Sequence, residues 1–229
     1  RYFSLLNITD TIKTFWGMLQ ALFTVFGIFP DVVFGKGGYA SFPALFAARI
    51  LGIPVIIHEY ESVPGKVNVW AGKFARRIAL SYPEAAKYFP ESKIALTGNP
   101  VRKEIMEPLT NGAKEHFNLE NGIRTILVLG GSQGAQLINN AIIDALSNLV
   151  ERYQIIHQTG KKNLAEVTTT ADVLLLDNSK KERYKPFDYL DTLALRMAAG
   201  VADVVISRAG STIFEIAAWG KPSIIVPIT

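Results

Sequence analysis

A glycine-rich turn at residues 130–134, GGSQG, is the first candidate for binding chemistry in this sequence. It follows an apolar run and precedes a stretch with helical periodicity, so it would combine free backbone N–H groups with a helix N-terminus. Such groups bind phosphate oxygens, and Ser132 adds a hydroxyl donor. The spacing matches neither GxGxxG nor the Walker pattern, so neither a dinucleotide site nor a P-loop is supported. A tight strand–helix turn without a ligand is the alternative.

A second glycine-rich turn, GKGGYAS at residues 35–41, has the same context between a strand and a helix. Both turns would lie at the carboxyl ends of their strands, the edge at which open α/β sheets bind ligands. One such turn in each half of the chain predicts two phosphate-bearing ligands that meet across a cleft. Lys36 could contribute charge there, although a surface lysine is usually only solvated.

Four further polar side chains stand beside predicted strands or helix starts. His58 and Glu59 could perform acid–base chemistry, bind hydroxyls, or cap a neighbouring turn. Arg102, in the run TGNPVR, could bind a diphosphate through its planar fork of donors. Glu215 follows a Gly-Ser-Thr turn and could bind the two ribose hydroxyls of a nucleotide. Its alternative role is a favourable charge near a helix N-terminus.

Composition excludes several classes of protein. The chain is 49% hydrophobic and 19% charged, which is typical of a globular protein with a sizeable core. A net charge of +4 suits phosphorylated ligands or anionic lipid, but the excess is too small and scattered to indicate nucleic acid. The absence of cysteine excludes disulfides, thiolate metal sites and cysteine nucleophiles. Neither HExxH nor DxD occurs, and the histidines form no motif, so metal dependence is not indicated.

The elements that must position these groups alternate between strands and helices, which predicts an α/β fold with parallel sheets. A polar stretch divides them into two βα arrays, and this indicates two Rossmann-like domains facing a cleft. We predict a first domain at residues 1–110, a linker at 111–122 and a second domain at 123–229. The predicted strands are residues 31–34, 53–57, 73–80, 94–96, 125–129, 153–156, 173–176, 204–206 and 223–226.

Residues 12–30 are almost entirely apolar and about as long as a minimal membrane span. Two glycines and a terminal proline favour a buried or surface-lying amphipathic helix instead. The chain opens without methionine and without a signal-peptide pattern, and it stops directly after an apolar run. We therefore expect a fragment of a longer protein in which both domains are incomplete.

Seven runs of the sequence, in one order, closely resemble the MurG glycosyltransferase family of peptidoglycan synthesis. They are DVVFGKGGYASFP, IPVIIHE, TGNPVR, ILVLGGSQGA, IIHQTGK, ADVVISRAGST and FEIAAWGKPSIIVP. The resemblance covers residues 12–229 and implies the GT-B architecture of two Rossmann-like domains. It also implies an inverting transfer of N-acetylglucosamine from UDP-GlcNAc to lipid I, giving lipid II, with no metal or other cofactor.

The resemblance assigns the UDP-sugar to the second domain. It implies that Ser132 and Arg102 lie near the donor diphosphate, that Glu215 binds the ribose hydroxyls, and that the backbone of Leu190 meets the uracil. The other substrate-binding residues that it implies are Gly131, Gly134, Ser211, Thr212 and Glu61.

The first domain would bind the lipid acceptor. The residues implied at the acceptor loop are Gly37, Gly38, Tyr39, His58 and Glu59. The residues that match the membrane-touching patch of the family are Phe15, Trp16, Leu19, Leu22 and Phe23. The resemblance therefore implies a cytoplasmic enzyme bound peripherally to the inner leaflet of a bacterial plasma membrane, with no nucleic-acid partner.

The sequence departs from the family pattern in ways that affect function. Glu61 replaces a ligand-contacting asparagine, and the turn before Glu215 is one residue short. The family's candidate general base would lie upstream of residue 1, and its sugar-contacting motif beyond residue 229. We therefore assign no catalytic base and expect the 229 residues alone to be inactive. Alternative functions are another GT-B UDP-sugar transferase, an epimerase, or a silent nucleotide-sugar-binding protein.

Overall fold

The computed structural model describes residues 5–130 and 136–227. The helices of this part are α1 (Leu5–Ile28), α2 (Phe42–Ile50), α3 (Lys66–Gly72), α4 (Lys103–Met106), α5 (Ala113–His116), α6 (Gln136–Leu149), α7 (Leu164–Leu174), α8 (Thr192–Val201) and α9 (Thr212–Trp219). The strands are β1 (Val33–Gly35), β2 (Val55–Glu59), β3 (Arg77–Leu80), β4 (Ile94–Leu96), β5 (Arg124–Leu129), β6 (Tyr153–Gln158), β7 (Tyr184–Phe187), β8 (Val204–Arg208) and β9 (Ser223–Val226). The chain separates into two compact units, Arg1–Pro100 and Val101–Thr229.

The first unit is built on a parallel sheet in the order β1-β2-β3-β4. Its interior strands are nearly continuous apolar runs, as expected when helices cover a parallel sheet. Ile57 of β2 and Ile78 of β3 are fully buried, together with Leu45 of α2. The predicted strand at residues 53–57 begins two residues later because Pro54 precedes the sheet, and it extends to Glu59.

The second unit contains a five-stranded parallel sheet in the order β7-β6-β5-β8-β9. Side chains alternate along its central strand. Ile126 and Val128 pack with α6 and α7, whereas Leu127 and Leu129 belong to the core cluster that includes residues of α8 and α9. This period of two, with apolar residues on both sides, identifies a strand that is covered on both faces.

The order of strands in the second unit reverses beside β5. From β5 the chain proceeds to β6 and β7 on one side, and it returns to β8 on the other side. The strands that follow β5 and β8 in the chain therefore lie on opposite sides of β5. Such a reversal is where open α/β sheets bind ligands, and it selects the residues after Leu129 and after Arg208.

The observed division of the chain lies ten residues before the predicted domain boundary at residue 110, between Pro100 and Val101. Residues 111–122, predicted as a linker, carry helix α5 instead. Ile105 and Phe117, on either side of the predicted boundary, are buried in one core cluster of the second unit. This stretch is polar because most of its side chains are exposed, but its few apolar residues pack into the core of the second unit.

A close backbone contact fixes the same segment to α8. The Leu109 N–H donates to the carbonyl of Arg196 at 2.9 Å. A Cβ added at Gly200 would lie 2.0 Å from the carbonyl oxygen of Leu109, so α8 can approach this closely only without a side chain there. Residues 101–119 are consequently part of the second unit.

The predicted strand at residues 173–176 is wrong, because α7 continues to Leu174. Val167, Ala171 and Leu175 recur every four residues and are all buried, whereas Val173 is 70% exposed. This is the spacing of one helix face. The second sheet obtains its edge strand from β7 instead. This strand contains Pro186, which a sheet tolerates at an edge position.

The remaining predicted elements agree with the structure within a few residues, and the α/β class with two Rossmann-like units is confirmed. The helix predicted within residues 12–30 is α1, which has 24 residues. Across residues 5–130 and 136–227, no helix reaches the combined length and apolarity that crossing a bilayer requires.

Candidate functional site

Two of the predicted site residues, 113 positions apart in the sequence, approach each other in the second unit. Glu215 lies in the first turn of α9, and Arg102 immediately precedes α4. Arg102 Nη2 is 3.5 Å from Glu215 Oε1, and the side chains are 53% and 18% exposed. An ion pair this long and exposed contributes little to stability. Both groups therefore remain available to a ligand with anionic oxygens or hydroxyls.

The start of α9 supplies the other polar groups at this edge. Ser211 is the N-cap residue and makes no side-chain capping bond, and Thr212 is the first residue of the helix. The N–H groups of Ile213 and Phe214 donate to the carbonyls of Gly210 and Ser211, so the remaining donors are at the very start of the helix, where the partial charge is positive. The turn thus offers hydroxyl and N–H donors beside the Glu215 carboxylate.

The other turn at the reversal follows β5. Gly130 N–H donates to the carbonyl of Gln158 at 3.2 Å, which ties the start of this turn to the end of β6. Gly131, Ser132 and Gly134 lie outside the described residues, so their predicted roles stay predictions. Helix α6 begins at residue 136, directly after them.

Leu190, the predicted uracil contact, is buried with 2% of its surface exposed. Its N–H donates to Oε1 of Gln158 at 2.9 Å. Gln158 ends β6 and so connects this backbone position to the edge that carries the glycine-rich turn. In this structure the Leu190 N–H already has an acceptor, and its predicted role in binding stays a prediction.

A chain of buried hydrogen bonds stands behind this edge. The Tyr184 hydroxyl is 2.8 Å from Nδ1 of His157, whose Nε2 is 3.1 Å from Oδ1 of Asn139. The Asn139 amide donates in turn to the carbonyl of Thr159 at 3.0 Å. A carbonyl only accepts, so Asn139 presents oxygen to the histidine, and Nε2 must carry the proton.

The electrostatics of His157 follow from its burial. Desolvation lowers the pKa of His157 to about 4 and raises the pKa of Tyr184. The histidine is therefore neutral near pH 7, with both nitrogens bonded. His157 was not among the predicted site residues, although a histidine inside an apolar strand is a signal of a buried polar network.

In the first unit, His58 and Glu59 are the last two residues of β2 and are 3% and 2% exposed. His58 Nε2 is 3.1 Å from the Gly98 carbonyl and 3.1 Å from the Ser81 hydroxyl. Because the carbonyl only accepts, Nε2 carries the proton. Nδ1 is buried and has no hydrogen-bond partner within the described part of the chain.

The Glu59 carboxylate organises the chain that follows β2. It accepts from the N–H groups of Glu61 at 3.0 Å and Gly65 at 3.3 Å, and from the Asn68 amide at 2.9 Å. Of the alternatives open from the sequence, capping of a neighbouring turn is the one that the geometry displays. Glu61 itself is exposed and has no ion-pair partner among the residues described.

The first glycine-rich turn lies beside this cluster. Gly37 and Gly38 have φ angles of +81° and +76°, a region that favours glycine. Tyr39 starts a short 3-10 turn, and its hydroxyl is hydrogen-bonded to the Thr14 hydroxyl of α1. Asn68 was not among the predicted site residues; its signal in the sequence is an asparagine on the apolar side of α3.

Helix α1 presents aromatic side chains to its surroundings. Phe15, Trp16 and Phe23 are 56%, 70% and 73% exposed, whereas Leu19 and Leu22 are half-buried. Further exposed apolar residues are Phe26 and Ile28 in the last turns of the helix and Phe29, Val32 and Phe34 after it. An apolar surface of this extent is typical of a contact with a membrane or another protein.

Two family models match the chain. The N-terminal domain of glycosyltransferase family 28 matches residues 1–80, and the C-terminal domain of the same family matches residues 125–229. The chain belongs to glycosyltransferase family 28. The two matches follow the two units described above, and the second contains both turns of the strand reversal.

Relatives of this family 28 chain carry a specific enzyme name. A protein of Thermodesulfovibrio yellowstonii is 43% identical over 96% of this chain, and one of Treponema denticola is 36% identical over all of it. Both are called UDP-N-acetylglucosamine--N-acetylmuramyl-(pentapeptide) pyrophosphoryl-undecaprenol N-acetylglucosamine transferase. The chain spans 60% and 59% of the lengths of these relatives.

Solved structures share the fold. MurG of Acinetobacter baumannii matches 92% of this family 28 chain with a TM-score of 0.66 at 26% identity, over 56% of its own length. A UDP-N-acetylglucosamine 2-epimerase of Listeria monocytogenes, described as putative, covers 94% of the chain with a TM-score of 0.67. It is 17% identical, and 62% of its length is covered, so this likeness concerns the fold alone.

Proposed function

We propose that the protein transfers N-acetylglucosamine from UDP-GlcNAc to lipid I, the undecaprenyl-pyrophosphoryl N-acetylmuramyl-pentapeptide, and so makes lipid II for peptidoglycan. The observation that carries this proposal is the similarity along the whole chain to relatives whose name states that transfer. The chain covers about 60% of those relatives, so the reaction is proposed for the complete protein.

The UDP-sugar binds in this proposal at the strand reversal of the second unit. Arg102 contacts the diphosphate, and Glu215 accepts from the two ribose hydroxyls. The N–H groups at the start of α9 and at the turn after β5 bind further phosphate oxygens. Support comes from the 3.5 Å approach of Arg102 to Glu215, which a ligand that satisfies both groups can replace.

The acceptor binds at the first unit. The backbone of Gly37 and Gly38 meets the acceptor's diphosphate, and Tyr39, His58 and Glu59 lie in or behind that surface. Nδ1 of His58 has no hydrogen-bond partner among the described residues, and it is an acceptor for a hydroxyl or N–H donor. The neighbouring Glu61 carboxylate adds no favourable contact to a diphosphate, so we expect it to point away from the bound ligand.

The chemical step is a direct displacement. The acceptor hydroxyl oxygen bonds to the anomeric carbon of the sugar as the bond from that carbon to the UDP oxygen breaks, which inverts its configuration. A base accepts the hydroxyl proton, and we assign that base to no residue of this chain. Arg102 and helix N-termini stabilise the negative charge on the leaving diphosphate, so we propose that no metal ion is required.

The membrane contact uses helix α1. We propose that its exposed aromatic residues, with Phe15, Trp16 and Phe23 at the centre, bind peripherally to the cytoplasmic face of the plasma membrane. Support comes from their exposure of more than half each. Aromatic rings are favoured at the membrane–water interface, where the acceptor's lipid is anchored.

The test uses the full-length reading frame with labelled UDP-GlcNAc and a soluble lipid I analogue, with and without EDTA. We expect transfer that EDTA does not abolish, and a loss of at least about tenfold in kcat/KM for Arg102→Ala, because one charge-assisted contact is removed. Lys103→Ala, the adjacent exposed cation, is the matched control and stays near wild type. Release of the 2-epimer of UDP-GlcNAc without transfer would instead identify an epimerase.

A further inference from the structure

Asn68 occupies a buried position between two loops of the first unit. It lies in the first turn of α3 and is 1% exposed. Its Nδ2 donates to Glu59 Oε2 at 2.9 Å and to the His58 carbonyl at 3.2 Å. Both partners are acceptors, so the orientation of the amide is fixed by its neighbours. Its Oδ1 has no hydrogen-bond partner in the described part of the chain.

The backbone of Gly37 rests on this same amide group. A Cβ added at Gly37 would lie 2.7 Å from Nδ2 of Asn68 and 3.3 Å from its Oδ1. A Cβ added at Gly38 would meet nothing within 4 Å, although Gly38 has nearly the same positive φ. The close approach is therefore a property of Gly37 alone, and Asn68 is the group that it touches.

Glu59 extends the contact to a second loop. Its carboxylate accepts from the N–H groups of Glu61 and Gly65 as well as from Asn68. One amide side chain thus connects the glycine loop, residues 35–39, to the loop after β2, residues 61–65. Both loops stand at the carboxyl edge of the sheet.

We propose that Asn68 is a positioning residue for the acceptor site. It holds the glycine loop and the loop after β2 at one spacing, and that spacing sets how well backbone N–H groups of the glycine loop bind a diphosphate. Asn68 is too buried to touch the ligand itself. The identity of the ligand as the acceptor's diphosphate rests on the proposed function.

The first test is Asn68→Asp in the full-length reading frame. Aspartate keeps the volume of asparagine but replaces the donor with a second carboxylate oxygen opposite Glu59. We expect KM for a soluble lipid I analogue to rise at least about tenfold, because small displacements of binding groups have large kinetic effects. The dissociation constant of UDP should stay within about twofold, since donor groups lie in the other unit. Equal losses for donor and acceptor, or no loss, would overturn the proposal.

A second substitution reverses the direction of the hydrogen bond. In the double variant Glu59→Gln with Asn68→Asp, the glutamine amide donates to the aspartate. We expect it to recover part of the acceptor KM lost in Asn68→Asp alone, at least about threefold, as coupled neighbours do. Additive losses in the double variant would contradict a positioning contact between these two residues.

The two glycines provide a matched pair for the steric part of the argument. Alanine is strained at both positions because both φ angles are positive, but only at Gly37 does its methyl group also collide with Asn68. Gly37→Ala should raise the acceptor KM at least about tenfold more than Gly38→Ala. Similar effects at both positions would show that Asn68 does not set the loop.

A measurement without substrate separates this inference from the proposed function. Hydrogen exchange of residues 35–39, followed by mass spectrometry, should be faster in Asn68→Asp than in the wild type, while exchange of the second unit is unchanged. If the wild type showed no transfer, the proposed function would fail, and the exchange result alone would decide the role of Asn68. Unchanged exchange in the glycine loop would refute it.

Discussion

Each unit of the chain buries one histidine in an interior strand of its sheet, and the two are bonded differently. His157 in β6 is fully buried and has a partner on both nitrogens, Tyr184 and Asn139. His58 in β2 is 3% exposed and is bonded only through Nε2. Its Nδ1 has no partner within the described residues.

The difference separates a structural histidine from a candidate functional one. A buried polar atom that remains unpaired costs stability, so proteins retain such atoms where a ligand or another function requires them. A search for shifted pKa values would select His157 as the functional histidine, because burial lowers its pKa. The number of hydrogen-bonded ring nitrogens selects His58 instead, because only His58 has an unbonded nitrogen among the described residues. The variants below test that assignment.

The largest expected effect is on the stability of the second unit in His157→Leu. The substitution leaves the Asn139 oxygen and the Tyr184 hydroxyl buried without the ring between them. We predict a loss of about 3 to 5 kcal/mol in the free energy of unfolding, the range of a broken buried network. The loss is measured by titrating the protein with denaturant and following hydrogen exchange in peptides of the second unit. His116→Leu, at an exposed histidine of the same unit, is the control and should lose under about 1 kcal/mol.

The next effect is the dependence of second-unit stability on pH. An unfolded histidine titrates near 6.5, whereas the pKa of His157 in the folded protein is about 4. The unfolded state therefore binds the proton first as the pH falls, so stability is full above pH 6.5 and decreases between 6.5 and 4. At about 1.4 kcal/mol per pKa unit, the loss amounts to about 3 kcal/mol.

The control for this pH dependence is His157→Gln, which has no group that titrates in the window. Its stability, although lower overall, should vary less between pH 4 and 6.5 than that of the wild type. If the stability of the variant and of the wild type depended on pH in the same way, a group other than His157 would be responsible for that dependence.

His58→Leu makes the matched change in the first unit. Only contacts to the Gly98 carbonyl and the Ser81 hydroxyl are lost, so we predict a loss of about 1 to 2 kcal/mol in the stability of that unit. Transfer to the acceptor analogue should nevertheless fall at least about tenfold, with UDP binding retained. A stability loss as large as that of His157→Leu, with full transfer, would reverse the comparison.

The smallest effect is expected for Tyr184→Phe. It removes only the hydroxyl that donates to Nδ1 of His157, and so gives this histidine the bonding pattern of His58. We predict a loss of about 1 kcal/mol, the typical net contribution of one hydrogen bond. Tyr189→Phe, at an exposed tyrosine of the same unit, should lose less than about 0.5 kcal/mol when the two are unfolded in parallel.

The sequence predicted much of the fold because its apolar runs and glycine turns reflect local physics. The strand at 223–226 is found at its predicted bounds, and the Gly-Ser-Thr turn does begin a helix. The stretch at 173–176 misled because four apolar residues in a row fit both a strand and the end of a helix. Only the burial of residues four positions apart, which depends on tertiary packing, distinguishes them.

Arg102 and Glu215 were predictable as candidates because each belongs to a local pattern, the run TGNPVR and the turn that begins a helix. Their approach to 3.5 Å depends on tertiary packing between segments that are 113 residues apart, and no local pattern predicts it. Asn68 was missed for the same reason. Its importance comes from a contact with a glycine 31 positions earlier in the chain, which no spacing rule predicts.

The close approach of Gly200 to the carbonyl of Leu109 has a practical consequence for recombination between relatives. A chimera that joined the two halves within residues 111–122 would pair α8 from one parent with residues 101–110 from the other. Any parent with a side chain at the Gly200 position would then collide with the foreign backbone, because the clearance is only 2.0 Å. Crossovers placed just before Val101 keep both partners of this contact together, and they are the ones we expect to yield folded hybrids.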